Sequence, residues 1–206
     1  MTPDMTDDAA DHGPRKWTIL SSRLVYENRW IRVNEFQTLA PTGAPALYGL
    51  VHMKNLALGI LPIDAEGRTI LVGQERFTSG QYSWELPEGG GPEDQPPLDS
   101  ARRELSEETG LKAANWMPLL ADMQMSNSVT DERAFAWLAW DLSPDASFEK
   151  DASEDLAVRR VPFKEAVATA VSGGFTDAFT LVMLLKADHL ARTGALPGDL
   201  ARLMLG

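Results

Sequence analysis

The segment EGGGPEDQPPLDSARRELSEETGL, Glu88 to Leu111, joins a glycine-rich turn to an acidic helix. Pro96 and Pro97 suit the first turn of that helix, where a missing N–H group costs nothing. Gly110 predicts its end, because helices commonly close on a glycine in the left-handed conformation. The segment therefore predicts a helix between the two prolines and Gly110.

Three glutamates crowd one face near the end of this helix. Glu104, Glu107 and Glu108 stand at i, i+3 and i+4, so their carboxylates lie on the same side. The C-terminal end of a helix carries partial negative charge, and each acidic side chain placed there lowers helix stability by roughly 0.3–1 kcal/mol. Arg103 cannot neutralise all three, and such grouped oxygen donors are suited to Mg²⁺, which also binds substrate phosphates. A solvated charged face is the alternative for an isolated helix of this composition.

The complete segment resembles the Nudix box, G-x5-E-x7-R-E-U-x-E-E-x-G-U, in which U is an aliphatic residue. The residues on their motif positions are Gly89, Arg103, Glu104, Leu105, Glu107, Glu108, Gly110 and Leu111. One position differs, because Gln95 replaces the first glutamate of the motif. In the family that glutamate orients the arginine, so we expect Gln95 to hydrogen-bond Arg103, with Glu93 or Asp94 as alternative partners.

Segments outside the box extend the resemblance over roughly residues 22–185. RLVYENRWIRV, GQERF, SWELPEGG, SVTDE and GGFTDAFTL are similar to segments of the ADP-ribose pyrophosphatase branch, which also hydrolyses other nucleoside diphosphate sugars. The resemblance implies hydrolysis of such a diphosphate, with ADP-ribose favoured, to a nucleoside monophosphate and a sugar phosphate. A dinucleoside polyphosphate or nucleoside triphosphate hydrolase is one alternative, and a non-catalytic nucleotide-binding module is another.

The resemblance also implies a site for Mg²⁺ or Mn²⁺. Its ligands would be the carbonyl of Glu88 and the carboxylates of Glu104 and Glu108. Glu107 would be held by Arg103 or bind a further ion. Arg103, Glu107 and Glu108, together with a catalytic base, would form the catalytic group.

The base is expected in an acidic loop between Ser143 and Leu156. The family pattern D-E-x-E before the last strand reads DASE here, at residues 151–154. Because Ala152 occupies the position of the usual base, Glu154 is the predicted base, with Asp151 as the other carboxylate of the pattern.

Three further residues are predicted to contact substrate. Arg76 ends an apolar strand and matches the substrate-binding arginine of the family's Q-x-R strand, although a surface position explains it equally well. Glu132 matches the TDE glutamate near the diphosphate. Trp30 can stack on a base, while packing in a core or an interface is the alternative.

The order of strand and helix patterns predicts an α/β protein with a mixed sheet, which agrees with the Nudix-type α/β/α sandwich. Residues 17–54 predict an antiparallel β meander that forms an N-terminal subdomain and a dimer contact. Residues 55–206 predict the Nudix hydrolase domain, with a short strand at 116–124 and two terminal helices. Residues 1–16 predict a flexible acidic tail.

Composition excludes several classes of protein. The 206 residues contain 44% hydrophobic residues, enough for a core, and no cysteine, which excludes disulfides and thiolate zinc sites. No segment approaches the ~20 apolar residues of a membrane span. The net charge of −11 argues against nucleic-acid binding. This composition is compatible with a reducing cytoplasm, where we expect the protein. The resemblance and the apolar meander imply a homodimer, and the resemblance implies a nucleoside diphosphate sugar as its partner.

Overall fold

The structure, a computed structural model, describes residues 16–147 and 155–206. Its residues divide into two compact units, one up to Lys54 with Ser126–Asp131, and the other of Asn55–Met125 with Glu132–Gly206. The predicted base Glu154, its neighbour Asp151 and most of the predicted tail lie outside the described residues.

The first unit is built on a three-stranded antiparallel sheet in the order β1-β2-β3. Its strands are β1 Thr18–Glu27, β2 Ile31–Leu39 and β3 Pro45–Met53. The segment Ser126–Asp131 attaches to β3, where the Val51 N–H group donates to the Val129 carbonyl at 2.9 Å. The predicted N-terminal meander is confirmed.

The second unit contains a seven-stranded mixed sheet. Its strands are β4 Asn55–Ile63, β5 Arg68–Arg76, β6 Gln81–Glu85, β7 Glu88–Pro92, β8 Leu111–Gln124, β9 Arg133–Pro144 and β10 Ala157–Pro162. The order is β10-β5-β4-β9-β8, with β6 on β5 and β7 on β4, and only the β4–β9 pair is parallel among the described strands.

Two strand boundaries differ from the prediction. β8 begins at Leu111 rather than at 116, and β9 continues to Pro144, past the predicted loop start at Ser143. The reason is their antiparallel pairing, which begins at Leu111 opposite Pro144 directly after the box helix. Ladder hydrogen bonds hold residues 111–115 and 143–144 in these strands, although the short segments carry no alternation of large apolar and polar residues that would predict a strand.

Helices cover both faces of the sheet, which confirms the α/β/α sandwich. They are α1 Pro97–Thr109, α2 Phe163–Val171, α3 Ala178–Arg192 and α4 Gly198–Leu205. On one face α1 packs through Ala101 and Leu105 against Leu56, Leu58 and Ile60 of β4. The other three helices contribute buried side chains to a second, larger hydrophobic core cluster. None of the helices within the described residues is long and apolar enough to cross a membrane.

The prediction of two terminal helices was wrong, because α4 is a third. It has eight residues, and it buries Leu200, Ala201 and Met204 against the core. A segment this short lacks the about 10–12 residues of periodicity that identify a helix in sequence. Packing against the other helices therefore determines its structure.

Candidate active site

The box helix begins and ends where its prolines and glycine predict. Pro96 occupies the position before α1, and Gly110 closes the helix with φ of 69°. The Gly110 N–H group donates to the Ser106 carbonyl at 2.8 Å. This geometry places the three glutamates in the second half of α1, beside β7.

Gly89 allows the helix to approach β7 closely. A Cβ atom on this residue would lie 2.1 Å from Cδ of Glu104, so any larger residue would displace the carboxylate. The carboxyl group of Glu104 thus lies directly against the glycine-rich backbone. Burial raises the pKa of the Glu104 carboxyl, and the opposing charge of Arg103 reduces that effect.

Arg103 connects two of the three glutamates to β7. Its Nη2 donates to the Gly90 carbonyl at 2.9 Å and to Oε1 of Glu104 at 2.6 Å, while Nη1 pairs with Glu107. The expected hydrogen bond from Gln95 is absent from the described part of the chain. The backbone N–H group of Gln95 instead donates to Pro92 at 3.3 Å. The Gly90 carbonyl is therefore the uncharged hydrogen-bond partner of Arg103 that Gln95 was expected to be.

Glu108 is held by a different partner. It is buried, and its Oε2 accepts the backbone N–H group of Glu88 at 3.0 Å. This contact binds the end of α1 to the first residue of β7. The structure thus brings together Glu88, Arg103 and all three glutamates.

The donor set is chemically suited to a hard divalent cation. It consists of carboxylates and backbone carbonyls, the oxygen ligands that Mg²⁺ prefers. Within residues 16–147 and 155–206 no three acidic or histidine side chains are spaced as a complete metal site. Mg²⁺ commonly needs only one or two protein carboxylates, because water and substrate phosphates complete its shell. A cation would also compensate the buried negative charge of Glu104.

Arg76 has a buried partner that the sequence did not reveal. It lies at the end of β5, where Nε donates to both carboxylate oxygens of Glu85 at 3.0 Å and Nη2 also pairs with Glu85. Glu85 is 4% exposed, whereas the Arg76 side chain is 40% exposed. Nη1 has no hydrogen bond within the described residues, and it can face a phosphate.

Thr180 and Asp177 were also missed. The Thr180 hydroxyl donates to Oε1 of Glu88 at 3.0 Å, and Oδ2 of Asp177 caps α3 by accepting the Thr180 N–H group. Burial, followed by the nearby charge of Asp177, raises the pKa of the Glu88 carboxyl well above its usual range. Aspartate is a favoured residue at a helix N-cap, so Asp177 is a signal that could have located the start of α3.

The other predicted substrate residues lie in different units. Trp30 belongs to the first unit, where it is 53% exposed and the Arg29 guanidinium lies 4.3 Å from its ring centroid. Glu132 belongs to the second unit directly before β9, and burial raises the pKa of its carboxyl.

A cavity of about 360 Å³ adjoins the outer side of α1. Its lining residues are Arg102, Arg103, Ser106, Glu107, Asp145 and Ser147. Asp145 accepts the Ser106 hydroxyl at 2.8 Å and the Ser147 N–H group at 3.0 Å. These contacts attach the end of β9 to the helix that carries the glutamates.

We expect Asp145→Asn to remove a pH-dependent part of the protein's stability. Hydrogen bonds from Ser147, then from Ser106, lower the pKa of Asp145 from 3.8 to about 2. Since the folded-state pKa is depressed, the stabilisation is complete above the unfolded pKa of 3.8 and disappears as pH falls towards 2. Wild type should therefore exceed the variant in free energy of unfolding at about pH 6, and the difference should shrink below about pH 4.

Urea unfolding of both proteins across this pH range would test the expectation. Asp94→Asn, which changes an exposed acid near the same helix, is the matched control. A difference between wild type and Asp145→Asn that stays constant with pH would contradict the assigned hydrogen bonds.

Comparison with known proteins agrees with this architecture. The family model described as NUDIX domain matches residues 53–179, and that described as nucleoside diphosphate sugar hydrolase N-terminal domain matches residues 17–51. An ADP-ribose pyrophosphatase of Mycobacterium tuberculosis is 32% identical over 67% of this chain and 67% of its own length. The CMP-5'-(N-acetyl-N-hydroxy-3-aminopropyl)phosphonate hydrolase of Streptomyces rubellomurinus is 27% identical over 89% of this chain and 87% of its own length.

A solved structure supports the same fold. The crystal structure of an ADP compounds hydrolase superposes with a TM-score of 0.79 at 24% identity, over 90% of this chain and 100% of that one. Fold and site together define an α/β/α hydrolase with an acidic helix held against a glycine-rich strand. The chain belongs to the Nudix family, with the N-terminal domain of the nucleoside diphosphate sugar hydrolases.

Proposed function

We propose that this Nudix hydrolase is a Mg²⁺- or Mn²⁺-dependent pyrophosphohydrolase of nucleoside diphosphate sugars, with ADP-ribose as the leading substrate. The observation that carries the proposal is the acidic end of α1 held against β7 by Arg103 and Glu108. The name of the mycobacterial relative favours ADP-ribose. The products would be AMP and ribose phosphate.

The proposed metal ligands are the Glu88 carbonyl and the carboxylates of Glu104, Glu107 and Glu108. Divalent ions bound there would supply Lewis-acid activation of the diphosphate and of the attacking water. Arg103 fixes Glu104 and Glu107 relative to β7, so these carboxylates are oriented before substrate binds.

Four further residues would act, three on the substrate and one on the attacking water. Arg76, held by Glu85, would donate from Nη1 to a phosphate oxygen, and its guanidinium geometry suits phosphate. Glu132 would lie near the diphosphate, and Trp30 would stack on the base. Glu154 would accept the proton of the attacking water.

Product analysis on a substrate panel with Mg²⁺ tests the proposal. The panel contains ADP-ribose, GDP-mannose, UDP-glucose, a dinucleoside polyphosphate and a CMP-linked phosphonate, the last because the Streptomyces relative is named for one. We expect ADP-ribose to give AMP and ribose phosphate with the highest kcat/KM. Preference for the dinucleotide would favour the alternative hydrolase, and binding without turnover would favour a binding module.

We expect Glu154→Gln to lower kcat about 10²–10⁴-fold, the usual contribution of a positioned general base, with KM nearly unchanged. Asp151→Asn should have a much smaller effect, because Glu154 is closer in sequence than Asp151 to β10, which begins at Ala157. Initial rates over a range of pH would measure both variants. Full kcat in both would show that no carboxylate of this pattern is the base, and Glu107 or Glu132 would become the candidate.

We also propose that residues 17–54 form a dimerisation subdomain and residues 55–206 the hydrolase domain of a cytoplasmic homodimer. The first unit exposes large apolar side chains, including Trp17 at 49% and Ile19 at 63%, which line the same cavity on the three-stranded sheet. Exposed apolar groups that cluster on one sheet favour association with a second copy. The absence of cysteine is compatible with the reducing cytoplasm.

Light scattering at micromolar concentration should therefore give twice the mass of one chain. Ile19→Asp should shift the protein towards monomer, because it places a charge among the exposed apolar groups. Lys112→Asp, an exposed position in β8, is the control. A monomeric, fully active wild-type protein would contradict the homodimer.

A further inference from the structure

The Thr180 hydroxyl lies between the two ends of a short segment of the active site. Thr180 is fully buried, and its Oγ1 accepts the Leu86 N–H group at 2.9 Å. The same hydroxyl donates to Oε1 of Glu88 at 3.0 Å. One side chain of α3 therefore holds both residues that flank Pro87.

The backbone of this segment is fixed from two other directions. The Pro87 carbonyl accepts the Ile60 N–H group of β4 at 2.9 Å, and the Glu88 N–H group donates to Glu108 at 3.0 Å. The hydroxyl of Thr180 adds two contacts to this segment, one from the Leu86 N–H group and one to the Glu88 carboxylate. The result is a continuous connection from α3 through Leu86–Glu88 to the carboxylate of Glu108 on α1.

Thr180 is itself held rigidly. The Asp177 carboxylate accepts its backbone N–H group at 2.5 Å and thereby caps α3. Farther along α3, Met183 packs directly against Gly59. A Cβ atom added to this glycine would lie only 2.7 Å from the Met183 sulfur. Because Gly59 of β4 pairs with Glu88 of β7, this contact places α3 close to the two strands beside the proposed metal site.

We propose that Thr180 is a positioning residue for the metal site, which orients the Glu88 backbone and, through it, the Glu108 carboxylate. The proposal rests on the metal-binding part of the proposed function but not on the identity of the substrate. Residues that support metal ligands through hydrogen bonds typically affect metal affinity about 10–100-fold.

The test is Mn²⁺ binding without substrate, measured from the free-ion signal in electron paramagnetic resonance. Thr180→Val keeps the shape of the side chain and removes the hydroxyl, whereas Thr180→Ser keeps the hydroxyl. We expect the Kd for Mn²⁺ to rise about 10–100-fold in Thr180→Val and to stay within about 3-fold of wild type in Thr180→Ser. Thr169→Val, which removes a hydroxyl bonded to the Glu165 carbonyl in α2, should leave the Kd unchanged.

A second pair of variants applies if Thr180→Val does not fold. Glu88→Gln retains an oxygen that can accept the Thr180 hydroxyl, so its Kd for Mn²⁺ should be lower than that of Glu88→Ala. Glu88→Ala retains the backbone carbonyl but loses this anchor, so its Kd should rise. Circular dichroism would establish that each variant is folded.

The outcomes separate this inference from the proposed function. Wild-type Mn²⁺ affinity in a folded Thr180→Val or Glu88→Ala, even with a lower melting temperature, would overturn the positioning role alone. Absence of Mn²⁺ binding by the wild-type protein would overturn the proposed metal site and this inference with it. Failure to hydrolyse ADP-ribose, with normal Mn²⁺ binding, would overturn only the proposed substrate.

Discussion

Glu108→Gln is expected to lower kcat about 10³-fold, equivalent to roughly 4 kcal/mol of lost transition-state stabilisation. The substitution removes the charge of a proposed metal ligand. The fold should persist, because the amide oxygen of glutamine can still accept the Glu88 N–H group. Removing a negative charge from the end of α1 also relieves an unfavourable interaction with the helix dipole.

Initial rates with ADP-ribose, together with thermal melts with and without Mn²⁺, would measure both effects. The melting temperature of the apoprotein should be unchanged or higher in the variant, whereas its stabilisation by Mn²⁺ should be smaller. Glu165→Gln, an exposed glutamate of α2, is the control for the chemical change alone. Near-wild-type activity of Glu108→Gln would refute the assignment of this residue to the metal site.

Arg76→Ala is expected to raise KM for ADP-ribose roughly 10–100-fold, since a hydrogen bond to a charged group contributes about 1.5–3 kcal/mol. It should also lower the free energy of unfolding, because Glu85 would remain buried without its cation. Breaking a fully buried pair costs about 3–5 kcal/mol, and the partial exposure of Arg76 reduces the expected loss to about 1–2 kcal/mol.

The double variant Arg76→Ala/Glu85→Gln separates these two effects. Replacing Glu85 removes the buried charge, so we expect the free energy of unfolding to recover while KM stays high. Arg202→Ala breaks an exposed pair with Asp199 on α4, and it should change neither quantity by much. If Arg76→Ala has the KM of wild type, Arg76 does not contact the substrate, and its pair with Glu85 serves stability only.

The sequence predicted those features that depend on neighbouring residues. Pro96, Pro97 and Gly110 located α1, because the conformational preferences of proline and glycine act within a single turn. The spacing of Glu104, Glu107 and Glu108 placed their carboxylates on one side of that helix for the same reason. The order of strand and helix patterns was sufficient to predict the mixed α/β sandwich and the N-terminal meander.

Tertiary structure alone decided the partners of these side chains. Arg103 is supported by the Gly90 carbonyl rather than by Gln95, and Arg76 is held by Glu85. Thr180 reaches Glu88 across 92 positions of the chain. Such contacts depend on how α3, β7 and α1 pack, and residues far apart in sequence carry no periodic signal of that packing. Local chemistry thus determined the helix and its acidic face, while long-range packing determined what holds that face in place.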